Sequence, residues 1–218
     1  MHWKAYFPTK YLHWKTGGMD VDHYFSSDPS ARSQKREIAF ETEGMTFRFV
    51  TEAGVFSKAR LDTGTRVLLK AIRGEKAFRI LDLGCGYGPL GIVMGLRLPE
   101  SRVDMVDPNG RAVELTRGNI SLNGCGNCHV YQGQGFAPLQ DRSYDLIITN
   151  PPIRAGKKVV YGLIGEAHRH LTPGGRLYAV IRTSQGAKSL ARKLSEIFGN
   201  VEELEIESGF RVYRAVRK

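Results

Sequence analysis

Apolar and polar positions alternate with a period of two from Ile38 to Thr51, on either side of Glu43-Gly44. That spacing predicts a β-hairpin with arms Ile38–Glu43 and Thr46–Thr51. From Lys58 to Ile72 the period lengthens, and Leu61, Val67, Leu68 and Ile72 share one face of a predicted helix. Beyond Phe78 short apolar runs and helical patterns alternate. The predicted strands are Phe78–Leu83, Arg102–Val106, Cys128–Tyr131, Tyr144–Thr149 and Arg176–Arg182. Between them lie predicted helices Leu90–Leu98, Arg111–Asn123, Lys157–Leu171 and Ala187–Phe198. In the second of these Ala112, Leu115 and Leu122 are available for packing, and Pro173-Gly174-Gly175 breaks the third. Val201–Glu207 and Phe210–Val216 alternate about Ser208-Gly209 and read as a closing antiparallel hairpin.

Repeated strand–helix units predict an α/β domain with a Rossmann-like, mostly parallel seven-stranded sheet covered on both faces. The small N-terminal hairpin and helix form an extension over residues 19–76, and the core occupies 77–218. Ligands of such sheets sit at the carboxyl ends of the strands, where the strand order reverses. The chemically suggestive segments fall just there.

The first core strand runs into Leu81-Asp82-Leu83-Gly84-Cys85-Gly86-Tyr87-Gly88. Glycines at 84, 86 and 88 let the backbone turn tightly and approach a ligand. A nicotinamide-dinucleotide fingerprint needs another glycine where Pro89 stands, and a phosphate loop needs Gly-Lys-Ser/Thr, which does not follow. Asp82 is unhelpful beside a pyrophosphate but suits a ligand carrying an ammonium group, such as the methionine part of S-adenosylmethionine. Asp107 ends the second strand, where a carboxylate can accept from both hydroxyls of a ribose. Asn109 is the better cap for the helix that follows.

Together these residues resemble the class I methyltransferase family, over nearly everything from Val21 to the C-terminus. Within it the chain is similar to the small-domain group that includes the 16S ribosomal RNA guanine-N2 methyltransferases and short single-domain relatives. The resemblance rests on Gly54-Val55-Phe56-Ser57 with Asp62, on Leu81–Gly88, on Asp107-Pro108-Asn109, and on Asn150-Pro151-Pro152-Ile153-Arg154-Ala155-Gly156-Lys157. It implies S-adenosyl-L-methionine as cofactor, held by Phe56, Asp62, Asp82, Gly84, Cys85, Gly86, Gly88, Asp107, Pro108 and Asn150. Many relatives carry an aspartate after the third strand to accept from the adenine amino group. Here Gln132-Gly133-Gln134-Gly135-Phe136 stands there. Gln134 can still accept through its amide oxygen, and Phe136 is positioned in sequence to pack on the adenine ring.

Asn150-Pro151-Pro152-Ile153 follows the fourth core strand and is the expected catalytic motif. The nitrogen of an exocyclic or carboxamide amine is a poor nucleophile because its lone pair is delocalised. Two acceptors, the Asn150 side-chain oxygen and the Pro151 carbonyl, can bind its hydrogens and aim the lone pair at a methyl group. The prolines stiffen the loop, and catalysis becomes mostly positioning. The acceptors this motif suits are adenine N6, guanine N2 and protein glutamine N5. Ile153 offers no ring for stacking where many such enzymes have an aromatic residue. The wider resemblance and the charge favour guanine in RNA.

The formal charge is +10 over 218 residues, which points to a polyanionic partner. Arg154, Lys157 and Lys158 are the candidate phosphate contacts beside the motif. RNA, as ribosomal RNA or a ribosomal subunit, is the expected partner. The competing readings are a protein glutamine-N5 methyltransferase, a non-catalytic RNA-binding module and a small-molecule methyltransferase. Residues 1–18, MHWKAYFPTKYLHWKTGG, read as an expression tag or a flexible basic arm. Their three lysines leave most of the positive charge on the remainder. No apolar run approaches the roughly 20 residues of a membrane span. Three cysteines suit a reducing cytoplasm. Cys125-x-x-Cys128 with His129 has no second ligand pair nearby, so no metal is expected.

Overall fold

The structure is a computed structural model that describes residues 35–42, 44–52 and 61–218. The hairpin consists of β1 (Lys35–Thr42) and β2 (Met45–Glu52). They pair antiparallel from Lys35↔Glu52 to Thr42↔Met45. Gly44 in the connecting turn has φ +75°, which a side chain resists. The first helix, α1 (Thr63–Ala71), starts later than the periodicity predicts. Asp62 adopts a non-helical conformation and caps it by accepting from Thr65 N–H, so Leu61 lies outside the helix.

The core follows in regular order: β3 (Arg79–Leu83), α2 (Pro89–Arg97), β4 (Arg102–Asp107), α3 (Gly110–Leu122), β5 (Cys128–Gln132) and β6 (Tyr144–Thr149). Next come α4 (Lys157–His170), β7 (Leu171–Arg182), α5 (Ala187–Phe198), β8 (Glu202–Glu207) and β9 (Phe210–Val216). The spatial order is β5-β4-β3-β6-β7-β9-β8. All neighbours are parallel except β9, which runs antiparallel between β7 and β8. The chain winds outward from β3 to β5 and returns to β6, so the order reverses between β3 and β6. This is the Rossmann-like seven-stranded sheet with a closing hairpin.

Two apolar layers cover the sheet. Val67, Leu68 and Ile72 of α1, Ile92 and Val93 of α2, and Phe47 and Phe49 of β2 pack on one face. Val160 and Ile164 of α4 and Leu190 and Leu194 of α5 pack on the other. The hairpin and α1 therefore share a core with the sheet.

Two expectations are corrected here. Pro173-Gly174-Gly175 does not separate helix from strand, because β7 runs through it. Leu171 pairs with Tyr144, and the register shifts before Arg176 pairs with Leu146. Gly174 N–H donates to Arg217 O and Gly175 O accepts from Arg217 N–H, so the irregular stretch is bonded to the chain end. In α3, Leu122 is 44% exposed, and the buried positions beside Ala112 and Leu115 are Val113, Thr116 and Asn119.

The polar face of α3 is needed because it meets backbone. Asn119 accepts from Val50 N–H at 2.7 Å and donates to Val50 O at 2.9 Å. One turn on, Asn123 accepts from Arg48 N–H at 3.1 Å and donates to Arg48 O at 2.6 Å. Two amides on one helix face thus satisfy the edge of β2 that β1 leaves open, as another strand would.

Candidate active site

The glycine loop leaves β3 at Gly84. The N–H groups of Gly84 and Cys85 both donate to Val106 O, at 2.9 and 3.0 Å, which folds the loop over the end of β4. Gly86 N–H donates to Asp107 Oδ2 at 2.9 Å, and Gly86 O accepts from the buried Thr116 hydroxyl at 2.8 Å. Gly88 has φ +92° and leads into α2, where a Cβ would lie 2.9 Å from the Thr116 methyl. A side chain at this position would be strained and would have to displace Thr116. Cys85 is buried beneath the loop, and burial pushes its thiol well above the usual range.

Asp82 lies under the same loop, fully buried. Its Oδ2 accepts from Gly91 N–H at 2.9 Å, which occupies the start of α2 where a dinucleotide fold would bind phosphate. Burial, with a smaller push from the Asp107 charge, raises its pKa to about 7 against the pull of the Gly91 N–H. Its Oδ1 has no hydrogen-bond partner among the described residues. A buried carboxylate beneath the loop disfavours an anionic ligand there.

Asp107 accepts Asn109 N–H at Oδ1 and Gly86 N–H at Oδ2, each at 2.9 Å. Burial raises its pKa, and these two donors oppose the rise. Each carboxylate oxygen keeps a second lone pair for a diol. The helix cap is Asn109, which accepts from Arg111 N–H, and Pro108 is the link between acid and cap. Glycine loop and Asp107 together fit a ligand that carries a ribose.

Gln134 is exposed in the loop after β5, at the same end of the sheet. Phe136 corrects an expectation. Its ring is 4% exposed, belongs to the core beneath α4, and stacks on His170 with centroids 4.4 Å apart. Apolar burial outweighs proximity in sequence, and the ring is not open to an adenine. Phe56, with the rest of Gly54-Val55-Phe56-Ser57, lies outside the described residues, as do residues 1–18.

Across the switch point, Thr149 pairs with Leu83 in register, and its hydroxyl donates to Leu83 O at 2.8 Å. Asn150 therefore leaves β6 beside the point where the glycine loop leaves β3. Its Nδ2 donates to Asp62 Oδ2 at 3.0 Å, the oxygen that also accepts from Thr65 N–H. No local pattern in the chain points to this contact. Pro151 O accepts from Ile153 N–H at 2.8 Å and Pro152 O from Ala155 N–H at 2.9 Å, so the motif is a tight, internally bonded loop. Ile153 packs against the core and lines a small apolar cleft with Tyr161, Ile181, Gln185 and Leu190. Lys157 also lines it, and Arg154, Lys157 and Lys158 are exposed along the segment that follows the motif.

Cys125 and Cys128 are buried on the same face as α2, with their sulfurs 2.6 Å apart. Among the described residues no group of three or more His, Cys, Asp or Glu side chains could hold a metal ion. Among the same residues no helix is long and apolar enough to cross a membrane.

The strand order, glycine loop, ribose-type acid and Asn-Pro-Pro turn define a Rossmann-like methyltransferase. The chain belongs to the methyltransferase small-domain family, which matches residues 46–214, a class that draws its methyl group from S-adenosylmethionine. It is 38% identical over 196 residues to the uncharacterized protein YbxB of Bacillus subtilis (strain 168), covering 89% of this chain and 98% of that one. It is 37% identical over 186 residues to ribosomal RNA small subunit methyltransferase C of Chromohalobacter salexigens, covering 82% of this chain and 53% of that one. The T. thermophilus 16S rRNA N2 G1207 methyltransferase RsmC, solved in complex with AdoMet and guanosine, superposes with a TM-score of 0.77 at 23% identity. That match covers 87% of this chain and 52% of RsmC. The chain thus spans about half the length of these ribosomal RNA methyltransferases and nearly all of YbxB.

Proposed function

We propose that the chain transfers a methyl group from S-adenosylmethionine to the exocyclic N2 of a guanine in ribosomal RNA, free or within a ribosomal subunit, in the cytoplasm. The observation that carries this reading is Asn150, placed beside the glycine loop with its amide nitrogen bound by Asp62 and its oxygen left without a described partner. Gly84, Cys85, Gly86 and Gly88 cradle the donor. Asp82 faces its ammonium group, Asp107 with Pro108 holds the ribose, and Gln134 accepts from the adenine amine. When bound, the donor supplies an electrophilic methyl on a sulfonium.

The chain's own part is positioning. Asn150 Oδ1 and the second lone pair of Pro151 O accept the two hydrogens of the target amine. This turns the nitrogen lone pair out of conjugation and toward the donor side. Pro152 and the bonded turn keep the acceptors from drifting. Ile153 meets the base through apolar contact, and Arg154, Lys157 and Lys158 bind flanking phosphates. Support for RNA comes from the charge of +10 and from the ribosomal RNA methyltransferases among the relatives.

The test is tritiated methyl transfer to total RNA and total protein from a strain lacking the gene, followed by nucleoside analysis. Labelled N2-methylguanosine is expected with wild type, and at least ~100-fold less with Asn150→Ala, whose donor affinity stays near normal. Label in protein instead of RNA would point to glutamine N5. Undiminished turnover by Asn150→Ala would refute the acceptor mechanism.

A further inference from the structure

We infer that Asp62 is a positioning residue for catalysis: its carboxylate sets the orientation of the Asn150 amide so that Oδ1, not Nδ2, faces the target amine. The inference rests on the proposed acceptor role of Asn150. It also moves Asp62 from the donor-binding set to the acceptor side.

The two ends of an asparagine amide are nearly the same size, and the torsion that exchanges them is broad. Packing alone does not choose between them. A flipped Asn150 would present N–H groups to the N–H groups of the amine, which repel. Something must therefore bind one end. Asp62 Oδ2 lies 3.0 Å from Asn150 Nδ2, although 88 residues separate the two in sequence. The same oxygen accepts from Thr65 N–H at 3.0 Å, so it is held as an acceptor and can receive only the NH₂ end. A charge-assisted bond at that nitrogen also polarises the amide and strengthens Oδ1 as an acceptor.

A helix cap alone does not account for the choice of residue, because serine or threonine would cap α1 as well. Their hydroxyl sits on Cβ and does not extend to Asn150 while it caps. The surroundings also keep room for the longer side chain. A Cβ on Gly64 would lie 3.0 Å from Asp62 Oδ2 and 2.9 Å from the Phe210 ring. Asp62 is itself pinned between the start of α1 and the end of β6, so it transmits the rigidity of both to the amide.

The experiment compares Asp62→Ser, Asn150→Ala and the double variant. In Asp62→Ser the cap survives, so the melting temperature and the affinity for S-adenosylhomocysteine by calorimetry are expected to stay near wild type. The kcat for methyl transfer to RNA from a strain lacking the gene should fall about 10- to 100-fold with little change in KM. The double variant should be no slower than Asn150→Ala, because Asp62 acts only through Asn150. Without any ligand, protein labelled with ¹⁵N-asparagine should show the Asn150 side-chain NH₂ resonances shifting and exchanging faster in Asp62→Ser. Unmoved Asn150 resonances would overturn the contact. Full turnover by Asp62→Ser, with Asn150→Ala inactive, would overturn the positioning role alone and leave the proposed function standing. Additive losses, or weakened S-adenosylhomocysteine binding at constant kcat, would return Asp62 to a structural or donor-binding role. If Asn150→Ala turns over normally, both the mechanism and this inference fall. Should Asp62→Ser not fold, Asp62→Thr makes the same separation.

Discussion

Removing the Asn119 side chain should loosen the hairpin from the rest of the molecule. Asn119 is fully buried and makes three hydrogen bonds to backbone. It accepts from Val50 N–H, and donates to Val50 O and to Tyr87 O, the last at 2.9 Å. Asn119→Ala leaves one N–H and two carbonyls without partners. Each lost bond costs about 1 kcal/mol where water can enter and up to about 3 where it cannot. Val50 is half-buried, so the lower figure applies to most of the loss, giving about 3 kcal/mol in all. For a domain of this size each kcal/mol lowers the melting temperature by about 2–4 °C, so a fall of roughly 6–12 °C is expected by circular dichroism. Asn119→Asp separates bonding from volume. It keeps the acceptor for Val50 N–H but turns an oxygen toward two carbonyl oxygens, and should be at least as damaging at pH 8. Asn123, which is more exposed, should cost about 1 kcal/mol when changed to alanine. Amide exchange at Val50 should accelerate in Asn119→Ala. A melting temperature within 2 °C of wild type, with Val50 still protected, would refute the reasoning.

Other outcomes follow from the active site. Asp107→Ala should weaken S-adenosylmethionine binding by about 1.5–3 kcal/mol, read by calorimetry, and unchanged affinity would rule out the ribose role. Asp82 has a folded pKa of about 7, above its unfolded value. Its contribution to stability is therefore complete below the unfolded pKa and lost as pH rises through about 7, with a slope of up to about 1.4 kcal/mol per pH unit. Asp82→Asn should flatten that part of a denaturation series measured from pH 4 to 8. An ammonium ligand favours the ionised acid, so wild-type affinity for S-adenosylmethionine should rise between pH 6 and about 7, before the ligand's own amino group begins to lose its proton, and a flat profile would count against the contact. RNA binding should weaken steeply between low and moderate salt as counterions are no longer released to advantage; a flat dependence would argue for a substrate other than RNA.

The features legible in the sequence were those decided by neighbours along the chain. Gly84, Gly86 and Gly88 point to a tightly turning loop, and the structure adds that all three have positive φ. Asn109 rather than Asp107 caps α3, as the distance to the helix suggested. The alternation of strands and helices predicted the layered sheet. The misreadings share a different cause. Leucine is expected inward on an amphipathic helix, yet Leu122 faces solvent. The face of α3 that packs inward at this end carries Asn119 and Asn123, because it meets the backbone of β2 and backbone needs donors and acceptors. Phe136 follows a strand end, which suggests a ligand contact, yet α4 supplies a larger apolar surface for it. The link from Asp62 to Asn150 joins distant parts of the chain, so no local pattern could reveal it.

The Thr149–Leu83 tie has a further consequence for how such a site can change its substrate. Neighbouring strands lie about 4.8 Å apart and share a continuous ladder of bonds. The roots of the donor loop and the acceptor loop are therefore set at a spacing that no surface substitution can tune. A descendant with a new target cannot widen the gap between them without breaking the centre of its own sheet. It can only change what hangs over that gap, at Ile153, at Arg154 and along the first turn of α4. Chemistry is inherited with the sheet, while the choice of acceptor is left to a few positions outside it.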